Sequence, residues 1–330
     1  MLANILVKPG KIELREVPTP QPSTGELVIR IKAALTCGTD LKAFKRGHPV
    51  IPMPGVFGHE FSGIVASVGK GVRGFKEGDE VMAAHSAPCL ACRYCNKKLF
   101  NLCENIMSSK VLGAFAEYIL LPPHIVKQNV FHRPKNLSFE EAAFLEPLSC
   151  VVHGIEPLDV RKGDTALVIG SGPIGLLHLL LLKEKGMDVC VIDKHKKKLR
   201  TAKKIGADSI SISASRDFIG FDYVFECTGM PEVWEASVYS VRRGGTVVLF
   251  GGCKSGTTVA YDTGRIHYDE ITLKGVFHFT PDDVKRAYEL LRRKRIDVSP
   301  LISGRYPLKH TQKAFERLSG GEGLKYAIIP

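Results

Sequence analysis

Alternating apolar and polar residues, interrupted by glycine and proline, characterise roughly the first 120 residues of the chain. The runs are 27–33, 63–69, 80–84 and 114–121. Because a period of two places successive side chains on opposite faces of a strand, each run predicts a β-strand with one buried face. This part of the chain is therefore predicted to be β-rich.

The pattern changes from about residue 161, where continuous apolar strands alternate with helical segments. The predicted strands are 165–170, 188–193, 221–227, 245–250 and 271–275. Predicted helices cover 174–185 and 196–205, and Gly206 ends the second of them. Strands that alternate with helices predict a parallel sheet with helices on both faces.

Capping residues predict where two helices begin. Ser138 and Glu141 form a capping-box pattern, which predicts a short helix to about residue 145. Thr280 and Asp283 frame a proline in the first helical position, which predicts a last long helix. The tail after Pro300 has strand–helix–strand character and is expected to pack on the first domain.

Length and composition favour a two-domain globular protein. The chain has 330 residues, more than one hydrophobic core usually supports, with 44% hydrophobic and 24% charged residues. An early lysine and proline argue against a signal peptide, and the most apolar helical run, 174–182, is too short for a membrane span. Nine cysteines then suggest metal binding in a reducing cytoplasm, so we expect a cytoplasmic protein with no membrane partner.

The net charge of +12 raises the question of nucleic acid. Basic residues cluster at 194–200 and 292–295, but neither cluster is interleaved with stacking aromatics. Solvated helix faces are the preferred interpretation, and no nucleic-acid partner is expected. The charge can still attract anionic cofactors or substrates over long range.

Four closely spaced cysteines predict a closed metal site. They are Cys89, Cys92, Cys95 and Cys103. Loops of two residues are too tight for comfortable disulfides, but they direct several sulfurs at one point, where a soft tetrahedral cation such as zinc fits. Four thiolates leave no open coordination position, so the predicted zinc is structural.

A glycine-rich turn between a strand and a helix predicts a dinucleotide site. The motif consists of Gly170, Ser171, Gly172, Pro173, Ile174 and Gly175. Its glycines permit a tight turn and let the backbone approach a pyrophosphate at the helix N-terminus. Asp193, which ends the next strand, can accept both ribose hydroxyls and favours NAD, whereas Lys194 and the basic residues after it keep NADP possible.

Later strand ends should line the same crevice at the carboxyl edge of the sheet. The residues expected there are Cys227 and Thr228 before Gly229, and Phe250 and Gly251 before Gly252.

A second group of donors suits an open zinc site. Cys37, His59, Glu60 and Glu146 offer sulfur, nitrogen and oxygen ligands. Each also has an ordinary interpretation: a buried small thiol, a loop histidine, a surface carboxylate. Spacing alone does not bring Cys37, His59 and Glu146 together.

These landmarks together resemble the zinc-containing medium-chain dehydrogenase/reductase family, in particular its sorbitol (polyol) and threonine dehydrogenase branch. The resemblance runs from end to end, through Cys37-Gly-Thr-Asp40, Gly58-His-Glu60, Gly78-Asp-Glu-Val81, the cysteine lobe, Glu146-Pro-Leu-Ser149, Gly170 to Gly175 and Asp193. It implies a GroES-like catalytic domain at 1–150 with a zinc lobe at about 86–106. It further implies a Rossmann NAD-binding domain at 151–280, and a last helix and return to the catalytic domain at 281–330.

The resemblance also implies roles. Cys37, His59 and Glu146 would surround a catalytic zinc, with Glu60 a direct or intermittent ligand, giving two zincs per chain. Thr39 matches the family hydroxyl that passes the alcohol proton outward, and Asp40 could orient His59. Where this branch often carries a histidine three residues after that hydroxyl, the chain has Lys42. Either Lys42 substitutes, or the proton leaves through ribose and water.

The implied activity is oxidation of a secondary alcohol, of polyol or diol type, by hydride transfer to NAD. An L-threonine 3-dehydrogenase-like enzyme is the alternative, and a non-catalytic zinc-stabilised nucleotide-binding protein is the rival of another class. Phe44, Phe57, Phe277 and His278 could shape a substrate pocket, although core packing is the simpler expectation for the aromatics. Family members are commonly homodimers or homotetramers.

Overall fold

The computed structural model describes residues 1–212 and 218–330, which divide into two units. The first unit comprises residues 1–149 and 279–330, and the second comprises residues 150–278. The chain after the last long helix therefore belongs to the first unit. Among the described residues, no helix is long and apolar enough to cross a membrane.

The strands and helices of the described residues are numbered in chain order. The strands are β1 Leu2–Lys8, β2 Lys11–Glu16, β3 Leu27–Leu35, β4 Gly55–Val56, β5 Glu60–Val68, β6 Glu80–Ala83, β7 Tyr118–Leu121, β8 Val130–His132, β9 Thr165–Ile169, β10 Asp188–Ile192, β11 Ser209–Ser211, β12 Phe221–Glu226, β13 Val241–Leu249, β14 Thr272–Gly275, β15 Ile302–Pro307 and β16 Lys325–Ile329. The α-helices are α1 Gly38–Arg46, α2 Arg93–Asn96, α3 Pro123–Asn129, α4 Phe139–Ala142, α5 Leu145–Ile155, α6 Pro173–Glu184, α7 Lys196–Lys204, α8 Pro231–Ser237, α9 Thr263–Tyr268, α10 Pro281–Arg292 and α11 Thr311–Ser319.

The first unit is built on a seven-stranded sheet in the order β15-β16-β3-β5-β6-β8, with β7 paired to β3, and on a small sheet β2-β1-β4. Strand β3 alternates buried and exposed residues in its middle and is buried at both ends, as its sequence pattern predicts. Phe57, Phe115 and Phe315 pack ring against ring in the core, with centroids 4.8–5.6 Å apart.

Strand register brings distant parts of the first unit together. In the antiparallel pairing of β3 with β5, Leu35 lies opposite Glu60. On the other side of β3, Ala327 of β16 also lies opposite Leu35. The chain just after β3, the start of β5 and the start of β16 therefore converge at one end of the sheet.

The second unit has the predicted parallel sheet, in the order β11-β10-β9-β12-β13-β14. Its central strand β9 is apolar and largely buried, as expected where helices cover both faces of a sheet. Helix α6 is buried over most of its residues, which explains why its sequence is apolar rather than amphipathic.

Most sequence-based elements are present with shifted ends. The capping boxes at Ser138 and Thr280 both form, and α10 begins with Pro281 as predicted. The run 114–121 forms a strand only from Tyr118, because residues 114–116 are buried in the core and make one isolated bridge, Ala3 to Ala116. The apolar residues at the start of this run are explained by packing in the core, and those at its end by strand pairing.

Candidate metal centres and cofactor site

The four-cysteine lobe has the geometry of a tetrahedral thiolate site. Cys92 Sγ lies 3.6 Å from Cys95 Sγ, and Cys89 Sγ lies 4.0 Å from Cys95 Sγ. Four sulfurs at about 2.3 Å from one zinc would be about 3.8 Å apart. All four thiols are free of disulfides and meet in one group, with Cys103 as the fourth member.

The pKa values of the cysteine thiols differ within the lobe. Backbone N–H groups of Ala91 and Cys92 lower the pKa of Cys89 to about 6. Burial and the neighbouring Cys92 raise the pKa of Cys95 to about 12. Some thiols of this group lose their protons easily, whereas others are buried and keep them. A bound cation would replace the remaining protons and stabilise all four sulfurs as thiolates. The lobe therefore fits a structural zinc.

The second group of donors is assembled from separate elements of the first unit. Cys37 is the N-cap of α1 and its Sγ accepts a hydrogen bond from the Thr39 N–H at 3.4 Å. His59 precedes β5, Glu60 begins β5, and Glu146 lies in the first turn of α5. Cys37, Asp40 and His59 form one set with ligand atoms within 4.8 Å of one another, and His59, Glu60 and Glu146 form another. His59 is shared by both sets, whereas Cys37 and Glu146 do not share a set.

Gly58 explains how His59 is presented. Its φ of +88° lies in the left-handed region, and a Cβ there would lie 2.7 Å from the buried ring of Phe115. Only glycine satisfies both constraints. The turn at Gly58 therefore fixes the direction in which His59 enters the site.

Asp40 contacts His59 and raises its pKa. Asp40 Oδ1 lies 3.4 Å from His59 Nδ1, and Asp40 is fully buried. Burial alone would lower the pKa of His59, but the negative charges of Asp40 and Cys37 raise it well above its ordinary value. The contact at Nδ1 leaves Nε2 as the ring nitrogen for a metal.

Lys325 is a functional neighbour that the sequence reasoning missed. Its Nζ donates to both carboxylate oxygens of Glu60, at 2.7 and 2.5 Å, and to the carbonyl oxygen of Thr36 at 3.0 Å. Lys325 is 2% exposed and Glu60 is 1% exposed. Burial raises the pKa of Glu60, and the charge of Lys325 opposes that rise. Nothing near Lys325 in the sequence indicated a buried charge, because only the β3–β16 register brings it to Glu60.

His85 is the second neighbour that sequence reasoning missed. His85 Nδ1 lies 3.5 Å from Glu146 Oε1, and its ring centroid lies 4.9 Å from that of His59. Burial raises the pKa of Glu146 to about 7, with Glu60 adding to the rise and His59 opposing it.

The charge balance of this cluster fits a divalent cation. Asp40, Glu60 and Glu146 are buried carboxyls with the Cys37 thiol beside them, and in the described contacts they face two groups that can be positive, Lys325 and His59. Buried charges are stable only when they are compensated. Mixed sulfur, nitrogen and oxygen donors are the ligands of zinc sites that keep a position open. The residues present thus suit a catalytic zinc.

Two of the aromatics considered for a substrate pocket belong to the core. Phe44 and Phe57 are buried in the hydrophobic cluster of the first unit. Phe277, by contrast, is 48% exposed in the second unit. Core packing was the correct interpretation for Phe44 and Phe57.

The glycine-rich turn of the second unit joins β9 to α6 without a side-chain cap. Gly172 is the N-cap of α6, and no side chain bonds to the first-turn N–H groups. A Cβ on Gly175 would lie 1.8 Å from the carbonyl oxygen of Gly170, so the turn requires glycine there. Free N–H groups at the positive end of a helix are an anion site, which suits a pyrophosphate.

The loops after four parallel strands meet at this edge. The Gly170 N–H donates to the carbonyl oxygen of Ile192, and the Cys227 N–H donates to that of Ile169. The N–H groups of Phe250 and Gly251 both donate to the carbonyl oxygen of Glu226. The predicted cofactor residues thus lie at the carboxyl ends of neighbouring strands, where nucleotides bind in sheets of this type.

Asp193 is linked to the glycine-rich turn. Its Oδ2 accepts from the Ser171 N–H at 2.7 Å and from the Ser171 hydroxyl at 2.8 Å. Its Oδ1 accepts from the His195 N–H at 2.8 Å. Lys194 lies between Asp193 and α7, so a carboxylate and a lysine are adjacent where a ribose would be recognised.

Glu226 supports the Cys227–Thr228 loop and was missed by the sequence analysis. Its buried carboxylate accepts from the Thr228 N–H at 2.6 Å and the Gly229 N–H at 3.1 Å. Burial, followed by the charge of Glu226, raises the pKa of Cys227 well above its ordinary value. Cys227 is therefore a neutral thiol that shapes the loop rather than a nucleophile.

Comparisons with known proteins agree with this fold and define a zinc-dependent dehydrogenase. The family described as "Alcohol dehydrogenase GroES-like domain" matches residues 23–130, and "Zinc-binding dehydrogenase" matches residues 173–293. The chain belongs to the zinc-containing medium-chain dehydrogenase/reductase family and is an oxidoreductase of the alcohol dehydrogenase type. The predicted combination of a GroES-like and a Rossmann domain is confirmed.

Individual relatives match almost the whole chain. Sorbitol dehydrogenase of Gallus gallus is 32% identical over 99% of this chain and 96% of its own length. Sorbitol dehydrogenase of Bacillus subtilis is 30% identical over 100% of this chain and 97% of its own. A zinc-binding dehydrogenase of Sinorhizobium meliloti, solved with NADP bound, has 30% identity and a TM-score of 0.91, covering 100% of this chain and 99% of its own.

The first testable consequence concerns the Lys325–Glu60 pair. Lys325→Met should lower the free energy of unfolding by about 3–5 kcal/mol, because it leaves a buried carboxylate without its cation. Urea unfolding of the zinc-free protein measures this. Lys309→Met, at an exposed lysine of the same unit, is the matched control. Adding Glu60→Gln to Lys325→Met should restore part of the loss. Equal stability of the Lys325→Met and Lys309→Met variants would contradict a stabilising role for the pair.

The second consequence concerns Gly172, where a Cβ would meet no protein atom within 4 Å. Gly172→Ala should leave thermal unfolding unchanged but weaken NAD binding at least about tenfold, because the added methyl group occupies the space of the pyrophosphate. Calorimetric titration with NAD measures the affinity.

The control is Gly320→Ala in the first unit, where a Cβ makes only ordinary contacts. It should change neither property. Undiminished NAD binding by the Gly172→Ala variant would show that the turn is not a pyrophosphate site.

Proposed function

We propose that this protein oxidises a secondary alcohol of polyol or diol type to a ketone, with NAD as the hydride acceptor. The observation that carries the proposal is the pair of donor sets that share His59, one with the partly buried Cys37 and the buried Asp40 and the other with the buried Glu60 and Glu146, because their mixed sulfur, nitrogen and oxygen ligands suit zinc. The same chain carries the glycine-rich turn linked to Asp193. Relatives named sorbitol dehydrogenase match it over nearly their whole length.

The proposed ligands of the catalytic zinc are Cys37, His59 and Glu146, with Glu60 a direct or intermittent fourth. Zinc, when bound, supplies a Lewis acid that lowers the pKa of the substrate alcohol. Because Lys325 holds both oxygens of Glu60, this carboxylate must loosen that contact before it can act as a ligand. The second zinc per chain is assigned to Cys89, Cys92, Cys95 and Cys103.

The remaining steps are assigned to side chains of the first unit. Thr39 lies at the start of α1, two residues after Cys37, and its hydroxyl would accept the alcohol proton. Asp40 keeps His59 in one orientation through the contact at Nδ1. The next proton carrier is either Lys42 or a path through ribose and water. The glycine-rich turn and Asp193 would hold NAD, which would supply the hydride acceptor for the carbinol carbon.

NAD is proposed ahead of NADP because the Asp193 carboxylate repels a 2′-phosphate. Lys194 and the NADP-bound Sinorhizobium meliloti relative support testing both cofactors. A cytoplasmic location is proposed as well, supported by nine cysteines that are all free thiols.

We also propose a homodimer or homotetramer. Within the described parts of the chain, strand β14 is at an edge of the six-stranded sheet and pairs with β13 alone, and Tyr268 nearby in sequence is 82% exposed. An unpaired edge with an exposed aromatic residue suits association with a second copy. Light scattering should give a mass of at least twice 36.2 kDa. A monomer at micromolar concentration would contradict this proposal.

The activity itself is tested with a panel of alcohols. Sorbitol, xylitol, 2,3-butanediol, 2-propanol and L-threonine are each offered with NAD and with NADP, and absorbance of the reduced cofactor is followed. We expect turnover of at least one polyol or diol with NAD and two zincs per chain. L-threonine as the sole substrate would favour the alternative enzyme, and no turnover with two zincs bound would favour a non-catalytic protein.

Cys37→Ala should abolish turnover and remove one zinc while NAD binding survives, because it deletes a ligand but leaves the second unit intact. Cys190→Ala is the matched control, since Cys190 is a buried cysteine of β10 outside both donor groups. It should retain both zincs and turnover. Retained turnover in Cys37→Ala would remove Cys37 from the mechanism.

A further inference from the structure

Two basic residues of α1 lie on the same helix face as Thr39. Thr39, Lys42 and Arg46 are spaced i, i+3 and i+7, so they share one face of the helix. The buried face of α1 is formed by other residues, namely Asp40, Ala43 and Phe44. At 1.5 Å per residue, Lys42 lies about 4.5 Å and Arg46 about 10.5 Å further along the helix axis than Thr39.

Two further basic side chains come from other segments. His48 follows α1 in a short turn closed by the bridge between His48 and Ile51, and His48 Nδ1 accepts from the Val50 N–H at 3.4 Å. The proton of the neutral ring is therefore on Nε2, which is a donor. Lys110 comes from the loop after the cysteine lobe, where its Nζ donates to the Met107 carbonyl at 3.0 Å.

The charges of the neighbouring cations act on His48. Burial lowers the pKa of His48, and the positive charges of Lys42, Arg46 and Lys110 lower it further. Asp40 is the one group that opposes them in this set. Its carboxylate, however, is fully buried and lies against His59, so it does not neutralise the outer side of the cluster.

Helix stability explains only part of this arrangement. Cations in the last turn of a helix complement its dipole, which accounts for Lys45 and Arg46. That effect does not account for Lys42 in the middle of α1, nor for Lys110 on a different segment. A cluster drawn from three segments around a half-buried histidine indicates a binding role.

We propose that the cationic cluster of Lys42, Arg46, His48 and Lys110 binds a terminal anionic group of the substrate, so that the enzyme acts on anionic polyols. The inference rests on the proposed function and narrows its substrate class to polyols that carry a phosphate monoester or a carboxylate. With the reacting carbinol beside Thr39, a terminal anion a few carbons away would lie within reach of Lys42 and then Arg46. Arg46 provides the planar pair of donors that such oxygens prefer.

The test compares substrates that differ in charge. Values of kcat/KM are measured with NAD for sorbitol, sorbitol 6-phosphate and gluconate, and the ratio of anionic to neutral substrate is the readout. We expect a ratio of at least about ten for one of the two anions, which also distinguishes phosphate from carboxylate. Lys42→Met and Arg46→Met should each lower that ratio roughly 10- to 100-fold, the size of one charge-assisted hydrogen bond.

Lys45→Met is the matched control, because Lys45 lies on the same helix but its Nζ donates to the Ser319 carbonyl. It should leave the ratio unchanged. The ratio separates anion binding from proton transfer, since a relay role of Lys42 would lower kcat/KM for both kinds of substrate alike. Arg46 remains charged and cannot serve as a relay.

Three results would overturn the inference while the dehydrogenase activity stands. The kcat/KM ratio of anionic to neutral substrate could be near one in the wild type, or it could be unaffected by both substitutions. Alternatively, kcat/KM could fall equally for all substrates, together with weaker NAD binding. The last would assign the cations to the cofactor. If no substrate is turned over, the proposed function fails instead. Calorimetric binding of sorbitol 6-phosphate to the zinc-loaded protein then decides: binding weakened by Lys42→Met supports the anion site, and absent or unaltered binding overturns it.

Discussion

The buried negative charge around His59 is the constraint on which the rest of this structure depends. Asp40, Glu60 and Glu146 are removed from water, and Cys37 adds a sulfur beside them. Desolvation on this scale is tolerated only with compensation. Lys325 provides one positive charge and His59, whose pKa is raised, can provide a second, yet burial still raises the pKa of Glu146 to about 7. A divalent cation among these donors would compensate the remaining buried charge, which is a physical reason to propose a metal centre here.

Sequence reasoning succeeded where the chemistry is local. Cys89, Cys92 and Cys95 lie within a few residues of one another, so short loops alone bring their sulfurs together. The turn from Gly170 to Gly175 is likewise set by its own strand and helix. The open site was different. Cys37 and His59 are brought together by the β3–β5 register, which places Leu35 opposite Glu60. No spacing in the sequence encodes that register, so only the family resemblance suggested the site.

The residues that the sequence analysis missed share one property. Lys325, His85 and Glu226 are buried polar groups whose partners are fixed by tertiary packing or by a loop fold. In the sequence, a lone lysine before an apolar run is indistinguishable from a surface residue, because lysines are rarely buried unless they are paired. The opposite error is to assign a functional role to a core residue. Phe44 and Phe57 lie close in sequence to site residues, yet their side chains pack in the hydrophobic core.

The cysteine lobe and the open donor site can form at different stages of folding. The lobe thiols lie on one short segment, so a zinc can gather them before the sheet is complete, and binding then contributes directly to folding. The open site needs α1, β5 and α5, and its balancing lysine comes from β16, near the end of the chain. Glu60 therefore gains its charge partner only after β16 has paired with β3. The proposed catalytic site is thus completed late in folding, whereas the lobe can help to direct folding.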